Sequence, residues 1–245
     1  MDGKYAIYLT VSVMTMTCIG SSVCRPQGTD AEYNPSINPQ DFVPHVAHKY
    51  FTLKPGTKFI YEKKTLWNTE RIEVVVTKET KQVMGVATTV VWDRVWQDGK
   101  LIEDTKDWYA QDKDGNVWYF GEAVNNYRNE KLKDHAGSWE AGVNGAKPGL
   151  IMPKDFKVGD TYRQEYAKGV AEDMGTVVAV SKKITVPYGS FDDCVQIQDW
   201  SKIERTANEH KYYCSGVGFA VLEESAWFGM GLLAGKTELI GVTTE

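Results

Sequence analysis

The chain has 245 residues, 42% of them hydrophobic and 12% aromatic, which is enough apolar mass for one large all-β domain or two small ones. The formal net charge is −5 and the pI is near 5.5, with lysines such as Lys63, Lys64, Lys182 and Lys183 scattered among acids. That pattern excludes the clustered basic surface that nucleic acid requires.

Residues 1–22 read as a signal peptide. Lys4 is a thin positive start, residues 6–19 form an apolar run too short to span a bilayer, and Gly20, Ser21 and Ser22 supply small residues for cleavage. Cys18 and Cys24 raise lipidation as a means of membrane anchoring, although neither follows the residues such a site prefers. The expected location is therefore outside the cytoplasm: periplasm, cell envelope or extracellular space. Residues 23–50 form a polar arm with Pro26, Pro35 and Pro39, read as a linker with Phe42, Val43 and Val46 available to dock it.

Residues 51–245 form the β domain. Strands are predicted at 57–67 after the Pro55-Gly56 turn, at 71–78, and at 82–96 with a bulge at Gly85. The strongest local signal is in 92–122, where Asp98-Gly99 and Asp114-Gly115 separate apolar and aromatic runs. A type I′ turn needs positive φ at both central positions, so two such turns predict three consecutive antiparallel strands. A two-residue turn at Asp98-Gly99 pairs Gln97 with Lys100, Trp96 with Leu101, Arg94 with Glu103 and Trp92 with Thr105. Residues 127–133 are a further strand, and the glycine-rich 137–149 is an extended loop carrying Trp139. Strands resume at 161–166, 172–181, 184–186, 191–200, 210–214, 219–224 and 236–242, with a turn at 206–208. No window longer than about ten residues shows a 3.6-residue apolar period, so helices should be few and short.

The second half echoes the first. Lys54-Pro55-Gly56-Thr57-Lys58-Phe59 parallels Lys157-Val158-Gly159-Asp160-Thr161-Tyr162. Val83-Met84-Gly85-Val86 parallels Val186-Pro187-Tyr188-Gly189, and Trp108-Tyr109-Ala110 parallels Tyr212-Tyr213-Cys214. The period is too long for a solenoid and suits a duplicated β-meander. The two similar halves, 51–135 and 153–245, would form a curved antiparallel sheet, a half-barrel or a sandwich around a shared core. The pattern Gly159-Asp160-Thr161-Tyr162, Val186-Pro187-Tyr188-Gly189-Ser190-Phe191 and Tyr212-Tyr213 with Gly216-Val217-Gly218 resembles a group of exported, functionally uncharacterised bacterial β proteins. Their motifs are turn chemistry, so the resemblance implies a fold and brings no catalytic residues. More loosely, such meanders are similar to the half-barrels of lipoprotein carriers, which hold acyl chains in a concave face.

Four kinds of site are candidates. Cys194 and Cys214 lie on predicted neighbouring strands and can form a disulfide if the chain is exported. Asp112, Asp114 and Asn116 resemble the start of a calcium loop, and the same residues also suit a plain hairpin turn. Trp92, Arg94 and Trp96 share a strand face, with Glu103 opposite Arg94, and Trp118 shares a parity with Phe120. Those six are the candidate ligand-binding residues, either packed as core or lining a concave pocket. No nucleophile elbow or zinc spacing is present, so no catalytic residue is nominated. The leading reading is a non-catalytic exported protein that binds an apolar ligand or a protein partner through its curved, aromatic-rich sheet. The alternatives are a structural envelope or extracellular subunit that pairs through edge strands, and a metal-dependent hydrolase using the acids near Asp112.

Overall fold

The computed structural model describes residues 33–64, 68–203, 208–226 and 233–244. The signal segment, Cys18 and Cys24, the end of the predicted strand 57–67 and most of the turn at 206–208 lie outside them. Among the described residues there is no α-helix, only a 3-10 turn at Pro39–Asp41, and the rest is strand and turn. Among the same residues no helix is long and apolar enough to cross a membrane.

In chain order the arm supplies β1 (Phe42–Val43), β2 (Ala47–His48) and β3 (Phe51–Thr52). The first half gives β4 (Thr57–Lys64), β5 (Thr69–Val83), β6 (Val86–Gln97), β7 (Lys100–Asp112), β8 (Val117–Arg128) and β9 (Lys131–Asp134). Short strands β10 (Trp139–Glu140), β11 (Lys147–Met152), β12 (Thr161–Arg163) and β13 (Glu165–Tyr166) follow. The second half gives β14 (Asp173–Val186), β15 (Gly189–Ser201), β16 (Asn208–Cys214), β17 (Ala220–Ala226) and β18 (Leu233–Thr244).

Apart from β2 and β3, which pair as a separate hairpin, these strands form one antiparallel sheet with the order β12-β14-β15-β16-β17-β18-β4-β5-β6-β7-β8-β11-β13, β1 joining β7, and β9 and β10 joining β8. The sheet curls almost into a barrel, and the two ends of the path meet near Gln164. Residues 161–166, predicted as one strand, are two: Thr161–Arg163 pairs with β14 and Glu165–Tyr166 with β11. Between them the Gln164 N–H donates to Asp173 O at 2.9 Å.

The turns explain most of the register. Asp98 and Gly99 both have positive φ, 49° and 79°, as a type I′ hairpin requires. Gln97 pairs with Lys100 and Trp96 with Leu101 as expected. A bulge between Val95 and Trp96 then moves the register by one, so Arg94 faces Asp104 and Trp92 faces Lys106 instead of Glu103 and Thr105. Gly85 is not a bulge. Met84 and Gly85, at φ 50° and 79°, make a tight hairpin that splits 82–96 between β5 and β6. The Asp114-Gly115 turn is wider than two residues, with Gly115 N–H donating to Asp112 O at 3.1 Å and Asp112 N–H to Asn116 O at 2.9 Å. The loop expected at 137–149 contributes β10 and β11 to the sheet beside β8.

The two halves share local backbone detail. Gly56 N–H donates to Val76 O at 2.8 Å, and Gly159 N–H donates to Val177 O at 2.9 Å. Across the ladder, Val76, Val91 and Asp107 stand side by side in the first half, as Val177, Ile197 and Lys211 do in the second. Counting along these strands makes Asp93 the equivalent of Asp199, Asp107 that of Lys211, and Tyr109 that of Tyr213.

The arm is more than a linker. Phe42 and Val43 pair with Asp112 and Gln111 at the end of β7. The β2–β3 hairpin inserts Phe51, only 1% exposed, with ring centroids 5.2 Å from Tyr109, 6.1 Å from Tyr213 and 5.0 Å from Phe219. Phe51 therefore joins equivalent tyrosines of both halves in one apolar cluster. Cys194 and Cys214 sit opposite each other on β15 and β16 and form a disulfide.

Candidate functional site

The inward faces of the strands change character along their length. On β7 the inward sequence is Tyr109, Asp107, Thr105, Glu103, and on β16 it is Tyr213, Lys211, Glu209. The tyrosine end is closed by Phe51. Towards the charged end lies a cavity of about 290 Å³. Phe51, Phe219, Ile72, Val74 and Leu222 give it an apolar part. Asp93, Asp107, Glu165, Asp173, Asp199, Glu209 and Glu223 also line it, and among the described residues lining it Lys211 carries the one ammonium.

The acids differ in their partners. Asp199 accepts from Gln164 Nε2 at 2.9 Å and pairs with Lys211 Nζ at 2.9 Å. Asp107 accepts a short bond from Tyr119 Oη, 2.6 Å. Asp93 Oδ1 is buried with no hydrogen-bond partner. Burying an ionised carboxylate is expensive unless it is paired, so the unpaired acids are driven towards the neutral form. Burial pushes Asp107 up to about 7, with Glu103 adding to the rise and Tyr119 and Lys211 opposing it. Burial, then the charges of Asp107 and Glu103, push Glu122 up to about 8. Asp93, Glu165 and Glu223 are also raised, burial being the largest cause at each. Lys211 is the counterpart. Burial disfavours its charge, but Asp199 and Glu223 outweigh that and hold it protonated, well above the usual lysine range.

Most of the residues nominated from sequence lie on the other face. Because Asp93 points inward, its neighbours Trp92 and Arg94 point outward, and Trp96 shares their parity. There the Arg94 guanidinium lies 4.0 Å from the Trp92 ring centroid and 5.1 Å from that of Trp96. Its ion-pair partner is Glu73 on β5, at 3.3 Å, rather than Glu103. Trp92 Nε1 donates to Asp104 at 3.0 Å. On β8 it is Tyr119 that lines the cavity, so Trp118 and Phe120 face out. Phe120 is fully buried there under the arm, edge-on to Phe42 at 5.5 Å. Of the six candidates only Glu103 turns inward, where it accepts from Thr105 Oγ1 at 3.2 Å.

The calcium-like loop is a hydrogen-bonded turn. Asp112 accepts from Asn116 N, Asn116 Nδ2 and Trp118 Nε1, each at 2.8 Å. Asn116 Oδ1 accepts from Lys154 N at 3.0 Å. Those contacts engage the side-chain oxygens of Asp112 and Asn116 within the turn. Among the described residues no group of three or more His, Cys, Asp or Glu side chains is placed to hold a metal ion.

Acids in strands usually face water, so the lumen acids do not stand out in the sequence. A signal was available: Asp93 and Asp199 alternate with tryptophans in both halves, Trp92-Asp93 and Asp199-Trp200, and an acid recurring beside indoles in a repeat need not be a solvated one.

No family model matches the sequence, and no curated protein matches it either. A crystal structure from Parabacteroides distasonis, of a protein provisionally named a lipoprotein, aligns with it at 14% identity and a TM-score of 0.44. That alignment covers 80% of this chain and 99% of the other.

Proposed function

We propose that the protein is an exported binding protein that holds a small amphipathic molecule in its barrel lumen. The observation that carries this reading is the 290 Å³ cavity between the Phe51–Phe219 cluster and the acidic wall. Its volume falls just below the usual range for small-molecule sites, about 300–1,000 Å³, which suits a small guest. A barrel that needed only stability would fill this space with aliphatic side chains, because each buried charge costs several kcal/mol before it is paired. Raised carboxyl pKa values gathered in a concave site are the kind of local cost that folds carry for function. A purely apolar guest would leave the acids desolvated and unpaired, so the lumen suits a molecule with an apolar body and a polar end. Export is supported by the Cys194–Cys214 disulfide, since such bonds persist in oxidising compartments.

Native mass spectrometry tests this on protein purified from its own cells, beside a Val74→Phe variant that fills the cavity. A retained small molecule in the wild type and its loss in the variant are the expected results. If neither form carries one, and a small-molecule screen finds no binder, the lumen is a solid core and the proposal is wrong.

A further inference from the structure

We propose that the lumen takes the ammonium group of a small organic cation at Asp93, in the place that Lys211 fills for Asp199. This deepens the binding reading and rests on it. The argument comes from the duplication. In the second half, Asp199 has an ammonium 2.9 Å away, on the residue diagonally across the β15–β16 ladder. In the first half the same ladder position across β6–β7 belongs to Asp107, a second acid. Asp93 is thus built as Asp199 is, with its cation missing, and its Oδ1 is buried and unpartnered beside the cavity.

The surroundings fit a cation and no other charge. From β5 only Val74 and Ile72 reach the cavity beside Asp93. From β7 the charged groups that act on it are Asp107 and Glu103, and from the far wall Glu223 and Lys211. Three of those four are acids, and Lys211 is already held by Asp199. The rings of Tyr61, Tyr109, Tyr119 and Tyr213 line the same space and offer faces to an ammonium. The apolar part would take the rest of an arylalkylamine or alkylamine. An anionic guest would meet acids on nearly every side.

The test uses three probes of similar size: phenethylamine, 2-phenylethanol and 3-phenylpropionate, titrated calorimetrically into the full chain. Phenethylamine should bind at least about tenfold more tightly than the alcohol, and the propionate should not bind. Binding of the amine should release protons and tighten as pH rises, because burial raises the Asp93 carboxyl and the guest favours its ionised form. Asp93→Asn, which keeps shape and removes the charge, should lose that preference and leave the alcohol unaffected. Asp107→Lys supplies an internal ammonium and should abolish amine binding while the near-ultraviolet dichroism stays native. Equal binding of amine and alcohol, or an unchanged amine affinity in folded Asp93→Asn, would overturn the cation inference and leave the binding chamber standing. Binding of none of the three, with no other small molecule found by mass spectrometry, would remove both.

Discussion

The halves of this barrel agree in their backbones and disagree in their interiors. Each begins with a Gly turn tied to the second strand, each joins its second and third strands by a two-residue turn, and each places a tyrosine against Phe51. Yet where the second half sets Lys211 beside Asp199, the first sets Asp107 beside Asp93. The second half also carries the Cys194–Cys214 bridge, where counting along the ladder gives Thr88 and Ala110 in the first. Turns and ladders are constrained by backbone hydrogen bonds that every copy must satisfy. Lumen side chains carry no such constraint, so they are free to diverge, and the divergence marks where the halves stopped being interchangeable.

Phe51→Ala is the most damaging way to break that comparison, because one ring serves both halves. Truncating a fully buried Phe costs about 3–5 kcal/mol. Urea unfolding followed by tyrosine and tryptophan signals should show this loss in a single transition. Two separate transitions, one per half, would show that the halves do not share a core.

The next effect is on pH dependence, and it sets Asp107 against its counterpart Lys211. Asp107 has its folded pKa raised to about 7, above the unfolded value near 4. Its contribution to stability is therefore fully present below about pH 4 and is lost as pH rises through about 7. Lys211, held well above the usual lysine range, stays protonated in both states across this window and adds no slope. Stability should fall by about 2–3 kcal/mol from about pH 5 to about pH 8, with Glu122 adding to the trend. Asp107→Asn should make the profile shallower, with Glu122, Glu165 and Glu223 supplying the slope that remains. An unchanged slope would mean that Asp107 is ionised at neutral pH.

How much of this was legible in the sequence depends on the range of the interaction. Asp98-Gly99 was readable because a type I′ turn is written in two residues. Met84-Gly85 was not, because methionine is a poor turn former and takes positive φ here only within a tight hairpin between two long strands. The pairing beyond Trp96 failed through one bulge, and a single-residue slip in register moves every later contact. The aromatic face is a different matter. The alternation Trp92-Asp93-Arg94 fits indoles packed as core or lining a pocket, and in the structure the lumen wall at this level is acidic while the indoles flank Arg94 outside. Parity is written in the sequence, and direction is settled only once the barrel has curled.

The smallest effect tests whether the halves are equivalent where they look most alike. Gly56 and Gly159 hold φ at 87° and 95°, a conformation costly for any residue with a Cβ. At Gly159 an added methyl would meet nothing within 4 Å, so the whole penalty there is conformational. Gly159→Ala should therefore cost about 1–2 kcal/mol. Gly56→Ala should match it, because its N–H makes the same bond to the second strand, 2.8 Å against 2.9 Å. The two turns share no partners, so the double variant should show the sum to within about 0.5 kcal/mol. A much larger cost at Gly56 would show that its turn is crowded by neighbours the second half lacks, and the equivalence of the halves would then end at the hydrogen-bond pattern.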